Sequence, residues 1–306
     1  MTSVGVEIAK DFIDLASPMG QCRVKRTRAE LTAAFSILPD DARLVMEATG
    51  RYHRLVAEVA RRVGLSVRCV NPYVFSLYRR SVSPRAKNDR IDAQILQRFG
   101  EREWDRLPES ETPNPQMQRL KDLMELRDTQ VKLKVAWQQS MSEIGESLVA
   151  SHAASEAIER SIAELDREIK QIVAGDPLYS LLLEMDGVGP QLAPALVWLF
   201  RAHRFQSADQ VVAFIGMDVR VRESGKFFGQ RKLTKRGPAF IRRLLYCAAN
   251  AQRRVEDFKP YFAKHHSRGH LTKAVNMIAA RKLVTVAYSL SKGMARYDRA
   301  TYLGST

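Results

Sequence analysis

Between Gln116 and Val173 the chain has no proline, and helix-forming residues dominate throughout. Long helices satisfy such a run and little else does, because strands are short and parted by turn residues. Leu123, Leu126, Leu133, Trp137 and Ile144 fit one apolar seam, interrupted by Gln130 and Ser140. Ile158, Ile162, Leu165, Ile169 and Ile172 fit a second, with alternating spacings of four and three. The softer segment Ser151–Ser155 is the expected bend of a helical hairpin, and helices this long need a partner surface in their own domain or on another copy. The stretch LPESETPNP (Leu107–Pro115) carries three prolines and reads as a linker. These features predict three parts: a domain over 1–106, a linker with a coiled-coil helical segment over 107–176, and a domain over 177–306.

The first part alternates strand and helix patterns. SVGVEIA (Ser3–Ala9), FIDLAS (Phe12–Ser17), RLVMEAT (Arg43–Thr49) and SVRCVNP (Ser66–Pro72) read as strands, the last stopped by Asn71-Pro72. YHRLVAEVARRVG (Tyr52–Gly64) is helical and ends at a C-cap glycine, and DAQILQRF (Asp92–Phe99) is a further helix. Hairpin strands followed by βα units predict an α/β layered domain. The last part is mainly helical and basic. In LLEMDGVGPQLAPALVWLF (Leu182–Phe200), Gly187 and Gly189 stand as in the turn of a helix-hairpin-helix, where backbone N–H groups approach a phosphate. A plain interhelix turn fits the same residues. A final amphipathic helix, about Leu271 to Leu290, puts Val275, Ile278, Leu283 and Val286 on one face.

The chain of 306 residues holds 49 Lys+Arg against 34 Asp+Glu, a net charge of +15. That balance points to a polyanionic partner, nucleic acid first and anionic membrane second. No apolar run approaches the roughly 18 residues of a membrane span. Charges at Glu7, Lys10 and Asp11 interrupt any signal peptide. Cys22, Cys69 and Cys247 are scattered without metal spacing, which suits a reducing cytoplasm, and the histidines form no zinc pattern.

Four acids sit where a soluble domain should not leave them alone. Glu7 interrupts the strand Val4–Ile8, with small residues Gly5 and Ala9 on its side leaving space beside the carboxylate. Glu47 closes the apolar run Leu44–Met46. Asp89 and Asp92, three apart, project from one face at a helix start. A buried carboxylate without compensation costs several kcal/mol, and a metal ion is one remedy. All-oxygen ligands suit Mg²⁺ or Mn²⁺. Each acid also has a structural reading: Asp89 as a helix cap, Glu47 as a surface acid at a strand end.

RESGKFFGQRKLTKRG (Arg222–Gly237) sets Ser224 among six lysines and arginines and a single acid. A serine attacking phosphorus would use such surroundings, and Arg220, Arg222, Lys226, Arg231 and Lys232 would neutralise the developing charge. The other reading is a serine in a basic loop that touches phosphate by a hydrogen bond. Lys10, Arg79, Arg80, Lys87, Lys235, Arg236 and Arg242 complete the expected nucleic-acid contacts. Arg79-Arg80, Arg85 and Lys87 lead into the DxxD pair. Tyr73, Phe75 and Tyr78 either stack on unpaired bases or pack a core.

VGVEIAKDFIDLA, MEATGRYH, VNP, KNDRIDA, MDGVGP, FIGMD and RESGK…TKRG…IRRLLY occur in an order that resembles DEDD-type insertion-sequence transposases of the IS-one-ten family. That family includes the Piv-type DNA invertases, and the resemblance covers nearly the whole chain. It implies an N-terminal RNase H/RuvC-like domain with a four-carboxylate Mg²⁺ site, a coiled coil, and a C-terminal transposase domain bearing a nucleophilic serine. Glu47, Asp89 and Asp92 match the last three acids and Ser224 the serine. It further implies a covalent phosphoserine intermediate on double-stranded DNA, a guide RNA in many members, and dimers assembling to a tetramer. The alternatives are an invertase without guide RNA and a non-catalytic nucleic-acid-binding descendant. Glu7 departs from the family, which places aspartate there. The extra methylene carries the carboxylate about 1.5 Å further from its strand, and Asp14 on the next strand is a candidate to compensate.

Overall fold

The computed structural model describes residues 1–48, 50–82, 88–107, 114–144, 149–220, 223–224, 227–228, 232–293 and 296–304. The chain divides into two compact units, Met1–Thr112 and Pro113–Thr306.

The first unit is a mixed α/β structure. Its elements are β1 (Ser3–Ile8), β2 (Phe12–Ser17), β3 (Gly20–Lys25), α1 (Arg28–Ser36), β4 (Arg43–Glu47), α2 (Tyr52–Arg62), β5 (Ser66–Val70), α3 (Pro72–Val82) and α4 (Asp89–Glu103). The sheet runs β3-β2-β1-β4-β5, antiparallel through the first three strands and parallel for β1, β4 and β5. A mixed five-stranded sheet of this kind, with helices on both faces, is consistent with an RNase H-like fold.

Strand alternation sorts the residues between the two faces. Val4, Val6, Ile8, Leu44 and Met46 pack with Leu31 and Phe35 of α1 and Val56 and Val59 of α2. On the opposite face Val45 and Val70 meet Phe75 of α3 and Ile95, Leu96 and Phe99 of α4. Two glycines let α4 lie directly on the sheet. A Cβ on Gly5 would stand 2.0 Å from the Ala93 carbonyl oxygen and 2.3 Å from the Gln97 nitrogen. One on Gly100 would stand 2.6 Å from both Ser3 Oγ and Val45 Cγ2. The space beside Gly5, expected to serve the Glu7 carboxylate, is therefore filled by the backbone of α4.

Among the described residues, the second unit is helical apart from one β-ribbon. Its elements are α5 (Pro115–Ile144), α6 (Val149–Val173), α7 (Pro177–Leu183), α8 (Leu192–Ala202), α9 (Ala208–Ile215), the short strands β6 (Val219–Arg220), β7 (Glu223–Ser224), β8 (Phe227–Phe228) and β9 (Lys232–Leu233), then α10 (Ala239–Gln252), α11 (Lys259–Ser267), α12 (Thr272–Ser291) and α13 (Arg299–Gly304). Helix α8 is buried from Leu192 through Leu199 and forms the centre, as expected of a helix apolar on all sides.

Helices α5 and α6 pack antiparallel, laced by Arg119–Glu168, Arg127–Asp166 and Lys134–Glu159 pairs. Ser151–Ser155, the expected bend, already lies within α6. The second seam holds, with Leu165 and Ile169 buried and Ile158, Ile162 and Ile172 half-buried. The first holds only at Leu123, which is buried: Leu126, Leu133 and Trp137 are exposed, the side chain of Ile144 lies outside the described residues, and the inward stripe is Met117, Leu120, Leu123, Met124 and Asp128. Asp128 is held there by Arg243 and Lys132. A carboxylate in the stripe hid it from any reading by hydrophobicity.

Gly187 is left-handed at φ 82°, and a Cβ there would lie 2.5 Å from the Ala248 carbonyl of α10. Its missing side chain thus serves packing against α10, where Gln252 also donates to the Asp186 carbonyl at 2.8 Å. Among the described residues no helix is long and apolar enough to cross a membrane.

Candidate active site

The face of the first sheet that carries α4 gathers the four expected acids. β1 and β4 pair in parallel up to Val6 and Met46, and the next residue on each strand is Glu7 and Glu47. Asp89 and Asp92 come from the first turn of α4, which lies on β1. The cap of that helix is Asn88, whose side chain accepts from the Arg90 N–H at 3.0 Å. Asp89 is therefore released from the capping role that its position also allowed.

Glu7 shows the consequence. Its Oε2 is buried and has no hydrogen-bond partner among the described residues. Burial first, then the negative charges of Glu47, Asp92, Asp89 and Asp14, push its pKa up to about 8. Like charges without a counter-charge favour the neutral acid. A cation placed among these groups would reverse that preference, and the oxygen-only donor set fits a hard divalent ion.

Two arginines occupy part of the cluster. Arg23 on β3 stands directly across the ladder from Asp14 and grips it at 3.0 and 2.7 Å, and it lies 3.8 Å from Asp89. Asp14 faces Glu7 in register but is committed to Arg23, so it is not available to make good the longer Glu7 side chain. Arg79 on α3, expected on nucleic acid, places its Nε 2.5 Å from Asp92. With these pairs formed, no three acids among the described residues are drawn close enough together to hold a metal ion.

Ser224 belongs to the second unit. The chain leaves α9 at Gly216, left-handed at φ 73°, and returns to α10 through Gly237. Neither glycine has room for a side chain: a Cβ would meet the Arg236 nitrogen at 2.5 Å and the Phe214 oxygen at 1.9 Å respectively. Between them β6 pairs with β9, and nested inside, β7 pairs with β8 so that Ser224 faces Phe227. Lys235 N–H donates to the Gly216 carbonyl and Thr234 N–H to the Asp218 carbonyl, each at 3.0 Å, which pins the base of the ribbon. Ser224 lies on the inner rung, away from that anchored base. Its backbone is described here and its side chain is not, while Lys87, Arg222, Lys226 and Arg231 lie outside the described residues.

Comparison with known proteins adds the deciding observation. A transposase model of the IS110 DEDD type matches residues 16–144, and a model described as "Transposase IS116/IS110/IS902 family" matches residues 179–267. The chain belongs to the IS110 transposase family.

Pilin gene-inverting proteins of Moraxella lacunata and Moraxella bovis are each 26% identical to it over 97% of this chain and 98% of theirs. A probable family 20 transposase of Pseudomonas aeruginosa is 34% identical over 31% of this chain and 29% of its own. As a transposase, the chain is a DNA-recombining enzyme. The first match contains Glu47, Asp89 and Asp92 and the second contains Ser224, while Glu7 precedes both.

The remaining basic residues of this transposase fall into two groups. Lys10, Arg80, Arg220, Lys232, Lys235 and Arg236 are exposed. Arg242 differs: it is half-buried and donates to the Ile215 and Gly237 carbonyls at 2.8 and 2.6 Å, bracing the ribbon from below. Phe75 is in the core and Tyr78 packs edge-on against Phe99 at 4.9 Å, whereas Tyr73 is exposed. His203, a histidine near the ribbon in sequence, packs 4.4 Å from the Phe214 ring, and burial and then Lys121 push its pKa down to about 4. Sequence reasoning missed Arg23 altogether. Its signal was the Asp14–Arg23 spacing, one step of a hairpin ladder, which required β3 to be recognised first.

Proposed function

We propose that this transposase cuts and rejoins double-stranded DNA with Ser224 as nucleophile, assisted by the carboxylates Glu7, Glu47, Asp89 and Asp92. The observation that carries the reading is Glu7 Oε2, buried without a hydrogen-bond partner among the described residues and close to the charges of three other acids of the cluster. Glu7, Glu47, Asp89 and Asp92 would hold Mg²⁺ or Mn²⁺, which when bound supplies Lewis-acid help to the attacking hydroxyl. Arg79 and Arg23 hold parts of the same cluster by charge and would have to share or yield Asp92 and Asp89.

In the reaction, Ser224 Oγ forms a bond to phosphorus as a backbone P–O bond breaks, and the departing deoxyribose oxygen takes up a proton. After exchange a deoxyribose hydroxyl attacks the phosphoserine, the Oγ–P bond breaks, and the proton returns to the serine. Arg220 and Lys232 on the outer rungs, with Arg222, Lys226 and Arg231 nearby in sequence, neutralise the phosphate. Residues 1–106 supply the carboxylates, 107–176 the helical hairpin for assembly into dimers and a tetramer, and 177–306 the serine. The enzyme works in the cytoplasm, with a structured RNA selecting donor and target by pairing. A second reading is inversion without guide RNA; its inversion part is supported by the pilin gene-inverting relatives aligned over nearly the whole chain.

The test is a denaturing gel of the protein with Mg²⁺, DNA from the element ends and the adjoining RNA. A protein–DNA band in wild type that disappears in Ser224→Ala supports the nucleophile, and a band that survives in the mutant removes it. Omitting the RNA separates the two readings. Any serine-dependent adduct rules out a non-catalytic descendant.

A further inference from the structure

A cleft of about 380 Å³ opens between α11 and α12. Lys264 and Arg268 line one wall, Arg281 and Lys282 the other, above Tyr261 and Ile278. No carboxylate is among its described lining residues. Sites for small apolar ligands are lined mainly by hydrophobic and aromatic groups. Four cations around one cleft select an anion instead.

The four are not equivalent. Arg281 has Asp209 at 3.3 Å, but that acid is 87% exposed, and a surface pair of this kind is weak. Lys264 and Arg268 are exposed at the C-terminal end of α11, where cations complement the helix dipole without any ligand. Lys282 has no such explanation. It lies in the interior of α12, and its Nζ is buried with no hydrogen-bond acceptor among the described residues.

The neighbours of that ammonium are the ring faces of Tyr261 and Tyr302, at 5.1 and 5.0 Å. Ring faces offset part of the lost hydration but accept none of its three N–H donors. Burial and then Lys264 hold the Lys282 pKa below the usual lysine range. An oxyanion seated in the cleft would supply both the acceptors and the counter-charge. Beside it, His265 Nδ1 is also buried without a partner among the described residues.

We propose that this cleft seats a backbone phosphate of duplex DNA, with Lys282 Nζ as the buried donor and Lys264 and Arg268 at its rim. The inference rests on the DNA-recombining function. It places the contact on the scaffold of the ribbon, because α12 packs along α9, from whose end the ribbon starts. DNA held there would be registered against the same helices that support Ser224.

The test uses the full chain and a labelled duplex of arbitrary sequence, with anisotropy measured across a salt series. Lys282→Met keeps the aliphatic stem between the two rings, Arg268→Gln changes only the rim, and Lys170→Met on α6 is the control for lost charge. Lys282→Met should bind about tenfold more weakly at fixed salt, with the salt slope reduced by about one. Arg268→Gln should lose about threefold, and the control should match wild type. If Lys282→Met proves misfolded by circular dichroism, Arg268→Gln combined with Lys264→Gln decides.

Wild-type duplex binding that neither cleft variant weakens would overturn the proposal and leave the recombinase reading intact. A loss confined to single-stranded RNA, or stabilisation by inorganic phosphate with duplex binding unaffected, would also overturn it. Failure of the wild-type protein to bind any duplex would instead remove the DNA-handling reading on which it rests.

Discussion

Glu7 makes the unliganded protein sensitive to pH in an unusual direction. Its carboxyl titrates at 4.5 ordinarily and at about 8 in the folded chain. Between those values the unfolded chain has released the proton and the folded chain still holds it, so stability falls as pH rises. In EDTA, denaturant melts should therefore show less stability at pH 8 than at pH 5, by a few kcal/mol at most. Glu7→Gln should abolish that slope, and Mg²⁺ should stabilise wild type at pH 8 but not the variant. A wild-type protein gaining stability from pH 5 to 8 would contradict the surroundings described for Glu7. The neighbouring pair makes a separate prediction. Arg79→Met leaves Asp92 buried without its guanidinium, at a cost of about 3 kcal/mol, and adding Asp92→Asn should recover much of that loss. The acids were legible because each interrupts or ends an apolar run, or opens a helix at a spacing of one turn. Arg79 was not, because its contact with Asp92 joins α3 to α4 and reverses the outward role that its basic neighbours suggest.

At the level of elements, the contact between α4 and β1 sets the geometry of the site. Gly5→Ala pushes a methyl into the Ala93 carbonyl and should destabilise the chain by about 3 kcal/mol. Gly175→Ala, with nothing within 4 Å of the new methyl, should change stability by less than about 1 kcal/mol. Paired urea titrations compare the two directly. Strands that read as apolar runs, such as Phe12–Ser17, buried from Ile13 through Ala16, were readable from the sequence. The edge strand Gly20–Lys25 was not, because five of its six residues are exposed and it presents no apolar period. The strands of the ribbon span two residues each, below the length at which any period exists. On α5 the buried stripe passes through Asp128, which a hydrophobic seam excludes by definition.

For the whole molecule, the two units have separate cores. Among the described residues, the clusters around the sheet draw on residues before 108 and the helical cluster on residues from Met117 onward. Fragments 1–112 and 113–306 should each unfold cooperatively when expressed alone, as seen by calorimetry. The second should retain most of the duplex affinity and the first should not, because the ribbon and the cationic cleft both lie in the second. A first fragment without a cooperative transition would show that its sheet depends on the rest of the chain. The order of motifs was legible in the sequence because each is short and local. The pairing of side chains within a motif's surroundings was not, since it depends on ladders and helix contacts that join distant positions.

Gly5 and Gly100 also bear on descent. An acid of the cluster can be exchanged for a neutral residue of similar shape without filling any space that the sheet or α4 needs. The glycines allow no such drift, since α4 fills the volume their side chains would need. A lineage that abandoned recombination would thus shed its carboxylates first and keep both glycines as relics of the architecture. This chain holds both glycines and all four acids together.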